Sequence, residues 1–328
     1  MNKTAFISGL SGQDGSYLAE FLLDKDYLVI GLVRRSSTDN LSNVHHLLDN
    51  PKLILEYGDL TDAGCLSRII KKYQPDEVYN LGAMSFVPVS WKSAKYTYDV
   101  NTLGVVRLLE AIREFSPSTK FYQASTSEMF GKVRETPQRE TTPFYPRSPY
   151  GVSKVAAYWT TINYRESFGL FAVTGILFNH ESPRRGLEFV TRKITDGVVR
   201  IALGLQDKLA LGNLESKRDW GHSKDYVNAM WLMLQQEEPK DYVVGTDETH
   251  SIRDFCNVAF SMAGLDYRDY VIKDERFYRP AEVDILLADS SLVRGELGWK
   301  PEYNFENLVA DMYRSDFELV SKELKGAV

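Results

Sequence analysis

The stretch TAFISGLSGQDGSYLAEFLL, residues 4–23, decides how the rest of the chain is read. Thr4 to Ser8 is an apolar run of the length of a buried strand. Ser16 to Leu23 puts Tyr17, Leu18, Phe21 and Leu22 on one helical face. Gly9, Gly12 and Gly15 stand between them. Glycines there permit a tight turn, close approach of backbone to a pyrophosphate, and close packing of helix on strand. The helix start adds unpaired N–H groups and the positive end of its dipole. Turns use glycine freely, so the triplet alone would say little. Set between a strand and a helix, it predicts a dinucleotide site with Gln13 and Asp14 on the turn.

Beyond this unit the strand–helix pattern repeats. Tyr27 to Val33 is a second strand, ending in Arg34-Arg35-Ser36-Ser37. An acidic residue at this place would hold a ribose 2′-hydroxyl. Two guanidiniums and two hydroxyls suit a 2′-phosphate better, so Arg34, Arg35 and Ser36 predict NADP. Asp39, a few residues on, leaves NAD open. Leu53 to Tyr57 is a third strand, and Asp59-Leu60 at its end offer a carboxylate to an adenine amino group. A helix from Ala63 to Tyr73, a strand from Glu77 to Leu81 and a helix from Asp99 to Phe115 continue the alternation. Such units predict an α/β fold with a doubly wound parallel sheet of Rossmann type. A smaller, mixed α/β part is expected to follow it. Residues 1–177 would serve the cofactor and 178–328 the substrate, with strands exchanged between them. Asn80 and Asn101 read either as satisfied core groups or as site residues.

With 328 residues the chain has room for one large and one smaller domain. Lys and Arg number 39 against 45 Asp and Glu, and the net charge of −6 argues against a nucleic-acid partner. Cys65 and Cys256 lie far apart without metal-ligand spacing, so no metal site is expected. No apolar run approaches the roughly 20 residues of a membrane span. Met1-Asn2-Lys3 leads into the first strand without a leader pattern. A cytoplasmic protein with no membrane partner is expected.

The second decisive stretch is FYQASTSEMFGKVRETPQRETTPFYPRSPYGVSK, residues 121–154. Its strand, Phe121 to Ser125, ends at Thr126-Ser127-Glu128, where ligands meet the protein in an open α/β sheet. A long loop carrying Pro137, Pro143, Pro146 and Pro149 delivers Tyr150 to a helix start, with Lys154 one turn on. A hydroxyl, a carboxylate, a phenol and an ammonium are thus offered to one place. Tyr-x-x-x-Lys is common as a surface pair. Beside a cofactor it has a chemical reason, because a free phenol has a pKa of about 10. A nearby ammonium and a cationic cofactor ring would bring it towards working pH.

Gly9, Gly12 and Gly15, the Asp59-Leu60 turn and the Tyr150/Lys154 pair resemble the extended short-chain dehydrogenase/reductase superfamily. Longer motifs resemble its GDP-mannose 4,6-dehydratase family: GQDGSY at 12–17, RRSS at 34–37, ASTSE at 124–128 and PRSPYG at 146–151. FNHESPRRG at 178–186, FVTRKI at 189–194 and RPAEVD at 279–284 extend the likeness over nearly the whole chain. The resemblance implies an NADP-dependent lyase acting on a small-molecule GDP-sugar, assembled as a homo-oligomer, dimer or tetramer. It also implies that Leu81, Ala83, Ser85, Tyr96, His180 and Arg185 join the cofactor site. Ser85, Glu128, Asn179, Lys193, Arg218, Arg279 and Glu282 would address the substrate. Lys193, Arg218 and Arg279 would supply the charge a diphosphate requires, and Glu282 an acceptor for guanine or ribose. Met84-Ser85-Phe86-Val87 and Val152-Ser153 depart from the family pattern, which leaves a related GDP-heptose open beside GDP-mannose.

The expected chemistry is a closed cycle. Tyr150, tuned by Lys154, takes the O4 proton while hydride leaves C4 for NADP, and Thr126 steadies O4. The C4 ketone acidifies C5. Glu128 removes that proton and returns it as the C6 hydroxyl leaves as water, after which hydride returns to C6. A reductase or C4 epimerase of the same fold would use Thr126, Tyr150 and Lys154 but have no task for Glu128. A non-catalytic nucleotide sensor would need none of them. The tail, Leu297 to Pro301 and an amphipathic helix from Phe305 to Leu319, is expected to pack against the cleft.

Overall fold

The computed structural model describes residues 2–277 and 281–326. Six apolar runs form β1 (Thr4–Ser8), β2 (Leu28–Val33), β3 (Leu53–Tyr57), β4 (Glu77–Asn80), β5 (Lys120–Thr126) and β6 (Ala172–Leu177). With the edge strand Tyr242–Val244 they make one seven-stranded sheet, in the order β3, β2, β1, β4, β5, β6 and then Tyr242–Val244. Every neighbouring pair is parallel. The order reverses between β1 and β4, and in such sheets the crevice outside that reversal receives the ligand.

Strand alternation buries both faces. Ala5 and Ile7 join Leu18 and Leu22 of helix Gln13–Asp24 and Met230 and Met233 of helix Ser223–Leu234. Phe6 points the other way, into a core with Ile69, Leu108 and Ala157 from helices Ala63–Tyr73, Gly104–Phe115 and Pro149–Phe168. Both faces are therefore covered, as a buried parallel sheet requires.

The first helix starts at Gln13, earlier than the Ser16 the apolar pattern suggested. The turn needs only Gly9 to Gly12, closed by the Gly12 N–H donating to the Gly9 carbonyl at 3.0 Å. The helix before β5 opens with a π turn, Asp99–Leu103, that presents Asn101 inward. Asn101 grips the Met84 backbone at both its N–H and its carbonyl and donates to the Ser153 hydroxyl. Asn80 accepts from Ser8 and donates to Gln123. Both asparagines are satisfied core groups.

A second core joins helices Val190–Ala202, Ile252–Met262 and Phe305–Gly326 through Ile194, Trp220, Phe260, Phe305 and Met312. The tail packs here and not at the cleft, because the stripe Phe305, Leu308, Val309 and Met312 faces these helices. Trp299 stands edge-on to Tyr226, and its indole N–H donates to the Asp225 carbonyl at 2.8 Å. The fully buried Asp219 sews this region to the sheet edge. It accepts from the N–H groups of Thr246, Asp247 and Ala288 and from the Thr246 hydroxyl. Burial still pushes its carboxyl up to about 6. Among the described residues no helix is long and apolar enough to cross a membrane.

Candidate active site

A cleft of about 560 Å³ opens where the strand order reverses. Its floor is the turn after β1. Gly9 sits at φ +72°, and a Cβ there would lie 2.8 Å from the Gly82 nitrogen. A Cβ on Gly15 would lie 2.2 Å from the Gly9 carbonyl oxygen. Only glycine fits either place. Gly12 caps the helix without a side-chain bond to its first turn, so the leading N–H groups stay available at the cleft.

Gln13 and Asp14 tie this turn to the second half of the chain. The Gln13 amide donates to the His180 carbonyl at 3.1 Å and accepts from the Ser182 hydroxyl at 2.8 Å. Asp14 meets His180 Nε2 at 2.8 Å and accepts from the Ser223 hydroxyl. Burial works against the Asp14 charge, yet the His180 ring and the Ser223 hydroxyl hold its carboxyl at about 2. Burial also opposes charge on His180. The paired carboxylate outweighs it, and the ring is raised above its ordinary 6.5.

Around the cleft the structure gathers most of the residues singled out by sequence. Arg34, Asp59, Leu60, Leu81, Ala83, Ser85, Tyr96, Asn179, His180 and Arg185 line it with the glycine turn. Arg34 donates to the Tyr96 hydroxyl at 3.2 Å. Arg35 turns away and gives its guanidinium to the Ser36 carbonyl at 2.6 Å, while the Ser36 hydroxyl bonds within its own loop to Thr38. Among the described residues Asn179 Oδ1 is buried at the cleft wall without a hydrogen-bond partner, and Arg185 Nε has an ion pair with Glu181 at 3.1 Å. An unpaired amide oxygen, a glycine cradle and an open helix start together fit a phosphorylated dinucleotide.

At the other end stand Thr126, Glu128, Tyr150 and Lys154. Thr126 ends β5 and accepts the Glu128 N–H at 3.2 Å, closing a short 3-10 turn, Ser127–Met129. Ser148 caps helix Pro149–Phe168 by accepting the Gly151 N–H at 3.0 Å, with Pro149 fixing the first turn. A Cβ on Gly151 would lie 2.8 Å from the Glu128 carbonyl, so the helix start abuts the strand end and brings Tyr150 to Thr126. Burial pushes Tyr150 up to about 12 against the pull of a Thr126 hydrogen bond. The lowering expected from Lys154 is absent. Lys154 donates to the Ala124 carbonyl at 2.8 Å, 5.9 Å from the Tyr150 ring centre, and burial brings it down to about 8.

Lys193, Arg218 and Glu282 lie outside the cleft lining. Lys193 donates to the Ala210 carbonyl and sits 3.4 Å above the Phe277 ring. The buried Arg218 donates to the Val283 carbonyl and comes within 3.8 Å of Glu282. Arg279 lies outside the described residues. Sequence reasoning passed over Phe86, Phe189 and Asn40, which line the cleft, and Ser223, which holds Asp14. Apolar rings before a helix and a helix-start serine carry no signal that sets them apart.

The family model for GDP-mannose 4,6 dehydratase matches residues 6–312. The chain belongs to the GDP-mannose 4,6-dehydratase family. It is 55% identical to GDP-mannose 4,6 dehydratase 2 of Arabidopsis thaliana, over 98% of this chain and 88% of that one. Against GDP-mannose 4,6 dehydratase of Homo sapiens it is 51% identical, over 96% and 92%. The fold matches dTDP-glucose 4,6-dehydratase of Streptomyces venezuelae with NAD and TYD bound, at TM-score 0.87 and 23% identity, over 97% and 98%. RMD of Pseudomonas aeruginosa complexed with NADPH matches at TM-score 0.80 and 23% identity, over 97% and 99%.

The Asp14–His180 pair gives this family member a pH signature. Asp14 is depressed, so its contribution holds above the ordinary carboxylate range and goes only as pH falls through about 2. His180 is raised, so its contribution is complete below 6.5 and is lost as pH rises through the folded value. Melting of the cofactor-free protein should therefore decline as pH rises above 6.5 and through the folded His180 value. His180→Gln should flatten that decline, and an equal decline in the variant would remove the pair as its cause.

Proposed function

We propose that the chain removes water from GDP-mannose to give GDP-4-keto-6-deoxymannose, with NADP as its cofactor. The observation that carries this reading is a buried Glu128 two residues past Thr126, at the cleft end where Tyr150 arrives. An oxidation at C4 alone would leave that carboxylate without work.

Bound NADP supplies the hydride acceptor for C4 and the hydride donor for C6, and so ends unchanged. Tyr150 takes the O4 proton. In the chain alone burial opposes its ionisation, and a positive charge entering beside the phenol draws the pKa back down. Thr126 hydrogen-bonds O4 and keeps the phenol in line. The bond from Lys154 to the Ala124 carbonyl holds the ammonium beneath the site, ready to bond a ribose or the phenol. Once C4 is a ketone, Glu128 takes the C5 proton and passes it to the C6 hydroxyl, which departs as water. Gly9, Gly12, Gln13, Asp14 and Gly15 hold the pyrophosphate end, Arg34 and Arg35 the 2′-phosphate, and Asp59 the adenine. Lys193, Arg218 and Glu282, outside the cleft lining, take the GDP end of the substrate.

The same reading divides the chain into a cofactor part, 1–177, and a substrate part, 178–328. Helix Ser223–Leu234 and strand Tyr242–Val244 cross back to the sheet. It also makes the protein a cytoplasmic homo-oligomer. Helices Gly104–Phe115 and Pro149–Phe168 pack side by side and leave Leu103, Val152 and a 57% exposed Trp159 uncovered.

Incubation of the purified protein with GDP-mannose, without added cofactor, should yield a product lighter by one water in mass spectrometry. An isomer of unchanged mass would mean an epimerase. Glu128→Gln keeps shape but cannot carry a proton, so dehydration and solvent-deuterium uptake at C5 should fall by about 10²–10⁴-fold. Undiminished dehydration would require another base. Arg35 reaches that phosphate only by releasing the Ser36 carbonyl, and replacing Arg34 and Arg35 together with alanine should weaken NADP by one to two decades, about 1.5–3 kcal/mol, and NAD far less. Equal weakening in a binding titration would remove the 2′-phosphate assignment. Sedimentation should show an assembly that Trp159→Glu shifts towards monomer, and a monomeric wild type would dismiss the oligomer.

A further inference from the structure

Phe86 and Phe189 belong to none of the apolar cores, yet both line the cleft and both are only partly buried. They come from opposite walls. Phe86 ends the loop after β4 that carries Leu81, Ala83 and Ser85, and Phe189 precedes helix Val190–Ala202. Their ring centres lie 5.5 Å apart at 73°, an edge-to-face contact. The guanidinium of Arg185 sits 3.5 Å over the Phe189 ring. Its Nε also forms an ion pair with the buried Glu181 at 3.1 Å, so the ring and the carboxylate together support it. From below, Arg192 donates to the Arg185 carbonyl at 3.0 Å and fixes the backbone only.

We propose that Phe86 and Phe189 form a bridge that closes the cleft over the dinucleotide, and that Phe86 positions Arg185 through the Phe189 ring. The inference rests on the reading that NADP occupies this cleft. A cofactor that must serve both redox steps on one sugar has to outlast the turnover, and a contact joining the two walls slows its escape. Neither ring donates or accepts a proton, so both are positioning residues. The bridge is a feature of the chain's own walls and does not depend on which hexose is bound.

Release of bound NADPH, followed by its fluorescence after a chase with excess NADP, tests the bridge in the absence of any sugar nucleotide. Phe86→Ala and Phe189→Ala should each release it about three- to tenfold faster, the range an aromatic pair supplies. The double variant should release it no faster than the quicker single, because each change breaks the same contact. Phe86→Tyr keeps the ring and should restore the wild-type rate. Release from Phe86→Ala at the wild-type rate would overturn the proposal, and so would multiplying effects or a Phe86→Tyr as fast as Phe86→Ala. If Phe189→Ala does not fold, the two Phe86 variants decide alone. Failure of the dehydratase reading shows separately, as GDP-mannose left at unchanged mass by the wild type.

Discussion

Everything at the cleft depends on how closely three backbone segments approach one another after β1. The Gly9 carbonyl occupies the space that a Gly15 Cβ would need, and the Gly9 Cα faces the Gly82 nitrogen across the strand-order reversal. A single methyl at either place would push the helix or the β4 loop outward. Helix Gln13–Asp24 would then lose its aim at the cleft, and Asp14 would lose its reach to His180. The sheet order sets where a crevice exists, and the glycine contact sets how deep it is.

Burial then decides the electrostatics, and it does not act evenly. Asp14 is enclosed but meets a histidine and a hydroxyl, so its charge survives. Tyr150 is enclosed with a single hydrogen bond in its favour, so its proton is held more tightly than in water. Lys154 has a carbonyl partner and, among the described residues, no carboxylate in contact, so it is the group that yields, to about 8. These directions fit a site whose base awaits a cationic neighbour. A phenol already ionised in the resting protein would be a buried anion that the Arg185 charge offsets only in part, at a large cost in free energy.

Much of this was legible in the sequence where the signal is local. The glycine turn, the strand ends at Asp59, Leu81 and Thr126, and the helix start at Tyr150 follow from motifs whose geometry lies within a few residues. Directions that tertiary packing settles were not legible. Arg35 and Arg34 are adjacent and chemically alike, yet Arg34 enters the cleft lining and Arg35 bonds its own loop. The Lys154 ammonium found a carbonyl on β5, which no spacing on its own helix could show. The tail helix was amphipathic enough to promise a packing face, but periodicity names a face and not its partner. Asn101 looked equally like core and site, and only its three bonds across a π turn to Met84 and Ser153 settle it.

That last arrangement bears on how the chain departs from its family pattern. The two departing segments, Met84 to Val87 and Val152-Ser153, are not independent. Asn101 holds the Met84 backbone with one end of its amide and the Ser153 hydroxyl with the other, and Ser153 in turn donates to the Tyr150 carbonyl. A hydroxyl at 153 therefore ties the loop that bears Phe86 to the helix turn that bears Tyr150. An alanine there would leave the Asn101 amide one partner short inside a buried site, where an unmade hydrogen bond costs about 1–3 kcal/mol. The loop that bears Phe86 and the helix start that bears Tyr150 are thus joined by one short chain of hydrogen bonds.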